Sequence, residues 1–356
     1  MKIGEFIKTM PRLKRYLLVR LRYLTLKKII NFIICEYSMY RKKSNLKSYP
    51  YEMLIEPTNI CNLACPLCFV GSGKVGRKKM YMSIDKFNRV IDDLSPYLFH
   101  AFLYHQGEPL FHKKIIEFIR YAHDANIATT ICSNLSFALD DALIEDIIKS
   151  GLDTIVISID GTDSETYQQY RVGGDYEKVF KNLSKFVEIK KRLKLKTPHI
   201  EWQFIVMKHN EHQIEQAKSL ARQIGVDSIA FINALLTHSS YDSEMSEVWL
   251  PKNSKYRNRV LLDKSDDLIY GCWWPWRTAI IHCDGNISPC AYTYYDRDDF
   301  ANYGKSFKHI WNNKHFMAAR RFISRNEITP GIELPCSKCS AINHCKTKHL
   351  IGDLPE

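Results

Sequence analysis

The feature that most limits the fold is a regular alternation of two kinds of segment. Short apolar runs at residues 51–57, 99–105, 127–132, 153–159, 198–206 and 227–232 have the length and composition of strands. Between them lie amphipathic stretches of helical length at residues 83–94, 113–125, 140–151, 176–192 and 212–225, and Ser83 stands where the first of these needs an N-cap. Strands that recur only after a helix are expected to pair in parallel, since a parallel neighbour is reached by a crossover. The expected architecture is α/β, a partial (β/α)6 TIM-like barrel, shorter than the usual eight-fold barrel. In such a barrel the functional groups gather at the C-terminal ends of the strands. The pattern stops after residue 232. Residues 278–290, "TAIIHCDGNISPC", predict a hairpin turning at Asp284, Gly285 and Asn286, with a helix near 306–323. The expected division is a helical extension over 1–48, the barrel over 49–235, a linker or lid over 236–269 and a cysteine-rich hairpin–helix domain over 270–356.

At 356 residues, 45% of them hydrophobic, the chain can bury a sizeable core without disulfides. The net charge of +12 is concentrated at one end. Residues 1–50 hold thirteen Lys and Arg against Glu5 and Glu36, which leaves residues 51–356 at +1. A body this close to neutral argues against a nucleic-acid partner, whose enzymes carry a basic cleft. In the basic segment Leu13, Leu17, Leu21 and Leu24 share a helical face, into which Lys14, Arg20 and Lys28 intrude. Two readings stay open: a helix seeking an anionic membrane surface, or a helix packed on the body with its cations outward. The longest apolar stretch there, "IINFIIC" at 29–35, is far short of the ~20 residues that span a bilayer and lacks a signal-peptide layout. Eleven cysteines, an odd number at close spacings, suit metal binding in a reducing cytoplasm better than a secreted disulfide framework.

Three of those cysteines, Cys61, Cys65 and Cys68, fall in "PTNICNLACPLCF" with the spacing C-x3-C-x2-C, directly after the first strand. Three thiolates are one short of a closed site. They suit a cubane iron–sulfur cluster with one iron left open, or half of a zinc site completed from elsewhere.

The triplet resembles the signature of the radical S-adenosylmethionine (SAM) enzymes, and the likeness continues along the barrel. "YHQGEPL" (104–110) is similar to that family's Gly-Gly-Glu-Pro element, "CSNL" (132–135) to its Ser/Thr-Asn element, and "SIDGTDSETYQQYRVGGDYEKV" (158–179) to a stretch running from strand four into a helix. One position departs: the residue before the third cysteine, usually aromatic, is Leu67, with Phe69 adjacent. The resemblance implies a [4Fe–4S] cluster held by Cys61, Cys65 and Cys68, whose open iron chelates SAM. Reduction, by flavodoxin or ferredoxin, then yields methionine and a 5′-deoxyadenosyl radical that abstracts hydrogen from substrate. It further implies that Gln106, Gly107 and Glu108 meet the SAM ammonium and that Pro109 fixes their turn. Ser133 and Asn134 would reach the ribose, and Ser158 and Arg171 the SAM carboxylate. The plain alternative for Glu108 and Arg171 is a surface ion pair.

The second cysteine group resembles the SPASM/twitch domains of the same enzymes, which hold auxiliary clusters. Cys272 and Cys290 flank the hairpin, Cys336 and Cys339 form C-x2-C, and Cys345 follows. The full two-cluster pattern needs a further cysteine where His349 stands, so one auxiliary iron–sulfur cluster on Cys272, Cys290, Cys336 and Cys339 is expected, with a structural zinc as the alternative. Cys345 is then spare. It is the first candidate for a catalytic hydrogen donor, ahead of Cys283 and Cys132; Cys35 is expected to pack. The basic arm favours a small-molecule or glycan substrate, oxidised or epimerised at or near a membrane surface. A peptide maturase is the alternative, and a zinc protein with a nucleic-acid-binding arm the non-enzymatic one. "CWWPWR" (272–277) reads as core beside the cluster rather than as a sugar platform.

Overall fold

The computed structural model describes residues 18–234, 243–253, 255–256, 272–304 and 306–339. Six parallel strands form the expected barrel wall: β1 (Glu52–Ile55), β2 (His100–Phe102), β3 (Ala128–Ser133), β4 (Thr154–Ser158), β5 (His199–Val206) and β6 (Ser228–Asn233). Each pairs with its successor, as in the register Ile155–Ile200 between β4 and β5. The hairpin after residue 278 supplies β7 (Ile280–Ile281), β8 (Asn286–Ser288) and β9 (Ala301–Asn302). Sequence reasoning treated this hairpin as separate. It is part of the same sheet: β7 pairs in parallel with β1, giving nine strands in the order β6-β5-β4-β3-β2-β1-β7-β8-β9. The open edge of a partial barrel is thereby covered, which removes an unpaired strand edge.

The helices outside the barrel begin where polar caps allow. Ser83 Oγ accepts from the amide of Lys86, Asp140 from Leu143 and Asp175 from Lys178, opening the helices at residues 84, 141 and 176. Their apolar stripes meet the strands in one core that includes Phe87, Phe118, Ile147 and Phe186. The C-terminal helices Phe307–Trp311 and Lys314–Arg325 replace the single helix expected near 306–323, broken where Asn313 caps the second.

The N-terminal helix α1 (Leu26–Tyr40) is packed the reverse of an ordinary amphipathic helix. Its polar and small residues Lys28, Asn31, Cys35 and Ser38 are buried. Lys28 reaches the Asn126 carbonyl, Asn31 exchanges two hydrogen bonds with the Tyr49 backbone, and the Cys35 thiol donates to the Trp276 carbonyl. Outward on one face stand Leu26, Ile30, Ile33, Tyr37 and Tyr40, between 48% and 80% exposed. Of the leucines that define the predicted face, Leu21 and Leu24 are exposed, while Leu13 and Leu17 lie outside the described residues. Cys35 packs as expected, and Trp276 of "CWWPWR" is core, donating to the Lys43 carbonyl. Among the described residues no helix is long and apolar enough to cross a membrane.

Candidate functional site

A cavity of about 250 Å3 opens at the C-terminal ends of β1 to β4. Cys61, Cys65 and Cys68, from the loop after β1, line it together with Gln106 and Gly107 after β2. So do Glu108, Ser133, Asn134, Ser158 and Arg171. The structure therefore brings together every predicted residue of the first site except Pro109, which is buried just behind and starts a short 3-10 turn, Pro109–Phe111.

The cradle is set by backbone contacts. Gly107 has φ +75°, and a Cβ there would stand 2.5 Å from the Thr58 carbonyl oxygen, so only glycine lets the second loop lie against the first. The Glu108 amide donates to the Ile60 carbonyl at 2.8 Å, locking the two loops in register. Gly71 plays the matching part at the far end of the cysteine loop, where a Cβ would meet the Cys65 amide at 2.4 Å. Cys61 Sγ accepts from the Leu63 amide at 3.5 Å, and Asn134 Nδ2 lies 3.8 Å from the same sulfur. Beneath the cysteine loop, Trp249 and Leu250 from the segment expected to be a linker or lid pack with Leu63, Cys65 and Tyr170.

Neither Glu108 nor Arg171 is in a surface ion pair. Glu108 is 1% exposed; its carboxylate accepts from the amides of Asn134 at 2.8 Å and Leu110 at 3.1 Å, bracing the β3 loop against the β2 loop. Burial raises its pKa to about 7, against the lowering effect of those amides. Arg171 donates from Nε to the buried Asp160 at 2.6 Å, with Nη1 4.0 Å from Cys65 Sγ. Asp160 is itself fixed by the Ile205 amide, so the guanidinium is held over the thiols by a rigid strand-end carboxylate.

The donor chemistry fits a cluster and its cofactor. Burial foremost, together with the charges of Glu108, Cys65 and Cys68, pushes the Cys61 thiol up to about 11. Thiolates crowded this way are costly alone and favourable on a cationic metal core. Both polar atoms of the buried Gln106 amide lack a hydrogen-bond partner although the side chain lines the cavity, which suits a polar ligand completing them.

The second set of thiols converges as well. Burial drives the Cys290 and Cys336 pKa values upward, and in each case the neighbouring Cys272 and Cys339 add to the effect. Among the described residues no three cysteine sulfurs lie within 4.8 Å of one another. Cys345 and His349 lie outside the described residues.

The cavity also holds residues that the first-site reading did not include. Cys132, ranked behind Cys345, lines the cavity with its sulfur 3.4 Å from Ser158 Oγ. His105, Tyr170 and Tyr294 line it too. His105 was findable, since it lies within the stretch "YHQGEPL" already recognised at a strand end, as Cys132, already a candidate donor, opens "CSNL". Tyr294 comes from the C-terminal hairpin region and stacks on Phe69 at 3.8 Å between ring centroids. The same two rings border a larger cavity of about 580 Å3 toward the C-terminal part, where Tyr292, Arg297, Asp298 and Lys338 also face inward.

A barrel wall with a cysteine-lined cavity at its strand ends, joined to a second thiol centre by a shared sheet, defines a cluster-bearing barrel enzyme architecture. The sequence pattern of the radical SAM superfamily matches residues 55–217, and that of the SPASM iron–sulfur cluster-binding domain matches residues 272–340. The chain belongs to the radical SAM superfamily and carries a C-terminal SPASM domain; a [4Fe–4S] cluster, SAM and auxiliary iron–sulfur chemistry come with that membership. Relatives include a tungsten-containing aldehyde ferredoxin oxidoreductase cofactor-modifying protein of Pyrococcus furiosus, 24% identical over 327 residues that cover 82% of this chain and 88% of that protein. A PqqA peptide cyclase of Ruegeria pomeroyi is 23% identical over 333 residues, covering 85% of each. In fold the chain is similar to Streptococcus suis SuiB bound to its precursor peptide SuiA, with a TM-score of 0.61 and 17% identity over 87% of this chain and 74% of that one.

Proposed function

We propose that this chain uses SAM-derived radical chemistry to oxidise or epimerise a sugar, free or carried on a glycolipid. The bound cluster and SAM would supply a 5′-deoxyadenosyl radical by one-electron reduction. Cys61, Cys65 and Cys68 would hold the cluster, and the Gln106–Glu108 backbone with the Gln106 amide would receive the SAM ammonium. Ser133 and Asn134 would border the ribose. Arg171, kept charged and oriented by Asp160, would take the SAM carboxylate beside Ser158. Cys272, Cys290, Cys336 and Cys339 would hold the auxiliary cluster.

The observation that carries the substrate reading is the 580 Å3 cavity that adjoins the cysteine-lined one. Its tyrosine faces beside Arg297, Asp298 and Lys338 suit a ring with apolar C–H faces and polar edges, and its border at Phe69 and Tyr294 is common to the SAM cavity. For epimerisation a hydrogen donor must face the same space. Of the described spare thiols, Cys132 borders the SAM cavity, whereas Cys283 is buried at the hairpin with Glu56. Burial holds Cys132 up to about 11, so it stays a thiol at neutral pH, as a donor must. The outward apolar stripe of α1, with Lys27, Arg41, Lys42 and Lys43 around it, supports contact with an anionic membrane from the cytoplasmic side.

A peptide substrate is the second reading, favoured by the PqqA peptide cyclase relative at comparable identity. The test is anaerobic turnover of the cluster-loaded enzyme with SAM, a flavodoxin reductant and panels of nucleotide-linked sugars, lipid-linked sugars and short peptides. Sugar-dependent release of 5′-deoxyadenosine is expected. Solvent deuterium in recovered substrate then marks epimerisation, and a carbonyl product marks oxidation. Stimulation by peptides alone would overturn the sugar reading.

A further inference from the structure

Glu56 at the end of β1, His105 after β2 and His282 after β7 meet at the seam between the barrel and the C-terminal domain. Glu56 and His282 are fully buried. One ligand atom from each of the three lies within 4.8 Å of the other two, and this is the only such group among the described residues.

Proton accounting shows which way the lone pairs point. Arg77 clamps Asp299 with two contacts, 2.9 Å and 2.5 Å, so that carboxylate is an acceptor. Ser288 has one hydroxyl proton and gives it to Asp299 at 2.8 Å. At its 2.6 Å contact with His282 Nε2 the serine oxygen must therefore accept, which makes Nε2 the N–H of that ring. His282 Nδ1 then faces Glu56 Oε2 at 3.5 Å. On His105, Nε2 is buried with no partner, while the other nitrogen bonds the Thr293 backbone. Both imidazoles thus donate outward, to a serine hydroxyl and to a backbone carbonyl; His282 turns its remaining nitrogen toward Glu56, and a ring nitrogen of His105 lies within 4.8 Å of both partners. That is how metal-ligating histidines are oriented.

The 3.5 Å separation is long for a charge-assisted N–H···O bond, which runs about 2.7–2.9 Å. It is close to the roughly 3.3 Å between two ligand atoms on one tetrahedral ion with bonds of about 2.05 Å. The alternative arrangement, an imidazolium at His282 bonded to Glu56, leaves the buried Nε2 of His105 without a partner.

We propose that Glu56, His105 and His282 form a binding site for a borderline divalent transition ion of the zinc or ferrous type, stapling the C-terminal domain to the barrel. Two nitrogens and one carboxylate are the donor set such ions take, and a three-ligand site keeps a position open for water or a substrate oxygen. His105 also lines the SAM cavity and stacks parallel to Tyr294 at 5.9 Å, so the ion would sit beside the space where substrate meets cofactor. This proposal is independent of the substrate class.

The test uses the full chain with its iron–sulfur clusters loaded, so that the cysteines are occupied, titrated anaerobically with cobalt(II). One tight equivalent per chain is expected, and cobalt K-edge absorption should show a nitrogen and oxygen shell near 2.0–2.1 Å without sulfur. Binding should weaken at least 100-fold in His105→Ala and in His282→Ala. Glu56→Gln should weaken it at least tenfold while keeping an acceptor for the Cys283 amide. Cluster absorbance and circular dichroism establish that the variants are folded. No tight cobalt, a sulfur-containing shell, or unchanged binding in folded variants would each overturn the proposal.

Discussion

At the scale of single residues, the site depends on one close backbone approach that no side chain could permit. Gly107 sits at φ +75° with backbone of the cysteine loop where a Cβ would go. Gly107→Ala should lower stability by about 2 kcal/mol or more and leave the first cluster poorly retained, measured as iron per chain after anaerobic reconstitution. Glu108 makes a different prediction, through its protonation. Its folded pKa is raised from 4.5 to about 7, so across that interval the folded chain holds a proton that the unfolded chain has lost. The contribution is fully present below about 4.5 and is lost as pH rises through 7, a loss on the order of 3 kcal/mol at most. SAM-free enzyme should melt at progressively lower temperature from pH 5 to pH 8, and Glu108→Gln should flatten that decline. A variant with an unchanged slope would mean that another group carries it. Both residues were visible in the sequence because they stand in "YHQGEPL", which resembles a family element. Glu108's actual task, bracing two amides, was not, since a side chain that accepts from backbone amides leaves no motif.

At the scale of elements, the strand–helix cycle of the barrel was legible almost throughout, because each strand alternates with a helix whose apolar stripe and cap are local signals. What was not legible is contact between distant segments. The pairing of β7 with β1 joins residues more than two hundred positions apart, and two strand residues of β7 are too few to advertise a partner. The N-terminal helix is the sharper case. The sequence put an apolar face on Leu13, Leu17, Leu21 and Leu24, ahead of this helix; within Leu26–Tyr40 it is Lys28, Asn31, Cys35 and Ser38 that are buried, and Asn31 and Lys28 find backbone partners there. That inversion leaves Leu26, Ile30, Ile33 and Tyr37 in solvent beside lysines. The double variant Ile30→Glu, Ile33→Glu should change stability by no more than about 0.5 kcal/mol, as exposed positions do. It should also abolish co-flotation with vesicles containing anionic lipid, while wild type floats at low salt and less at high salt. Equal flotation of the two would remove the membrane from the account of α1.

At the scale of the whole molecule, two thiol centres share one sheet but are built from separate stretches of chain. The first is assembled from the loops after β1 to β4, residues that pack within the barrel. The second draws on Cys272 and Cys290 around the hairpin and on Cys336 and Cys339 in the turn after the last described helix. Besides the pairing of β7 with β1, contacts between the two regions include Phe69 on Tyr294, Arg77 on Asp299, and Glu56 on His282. None of these contacts uses an auxiliary cysteine. Loss of the auxiliary cluster should therefore leave the SAM cradle standing. Cys336→Ala should lose about half of the bound iron yet still release 5′-deoxyadenosine with dithionite within about tenfold of wild type, while substrate turnover falls at least a hundredfold. Cys65→Ala should lose deoxyadenosine altogether and keep the auxiliary iron. If Cys336→Ala abolished SAM cleavage too, with its circular dichroism unchanged, the two centres would be one functional unit, and the separation of cradle from auxiliary domain argued from these contacts would be wrong.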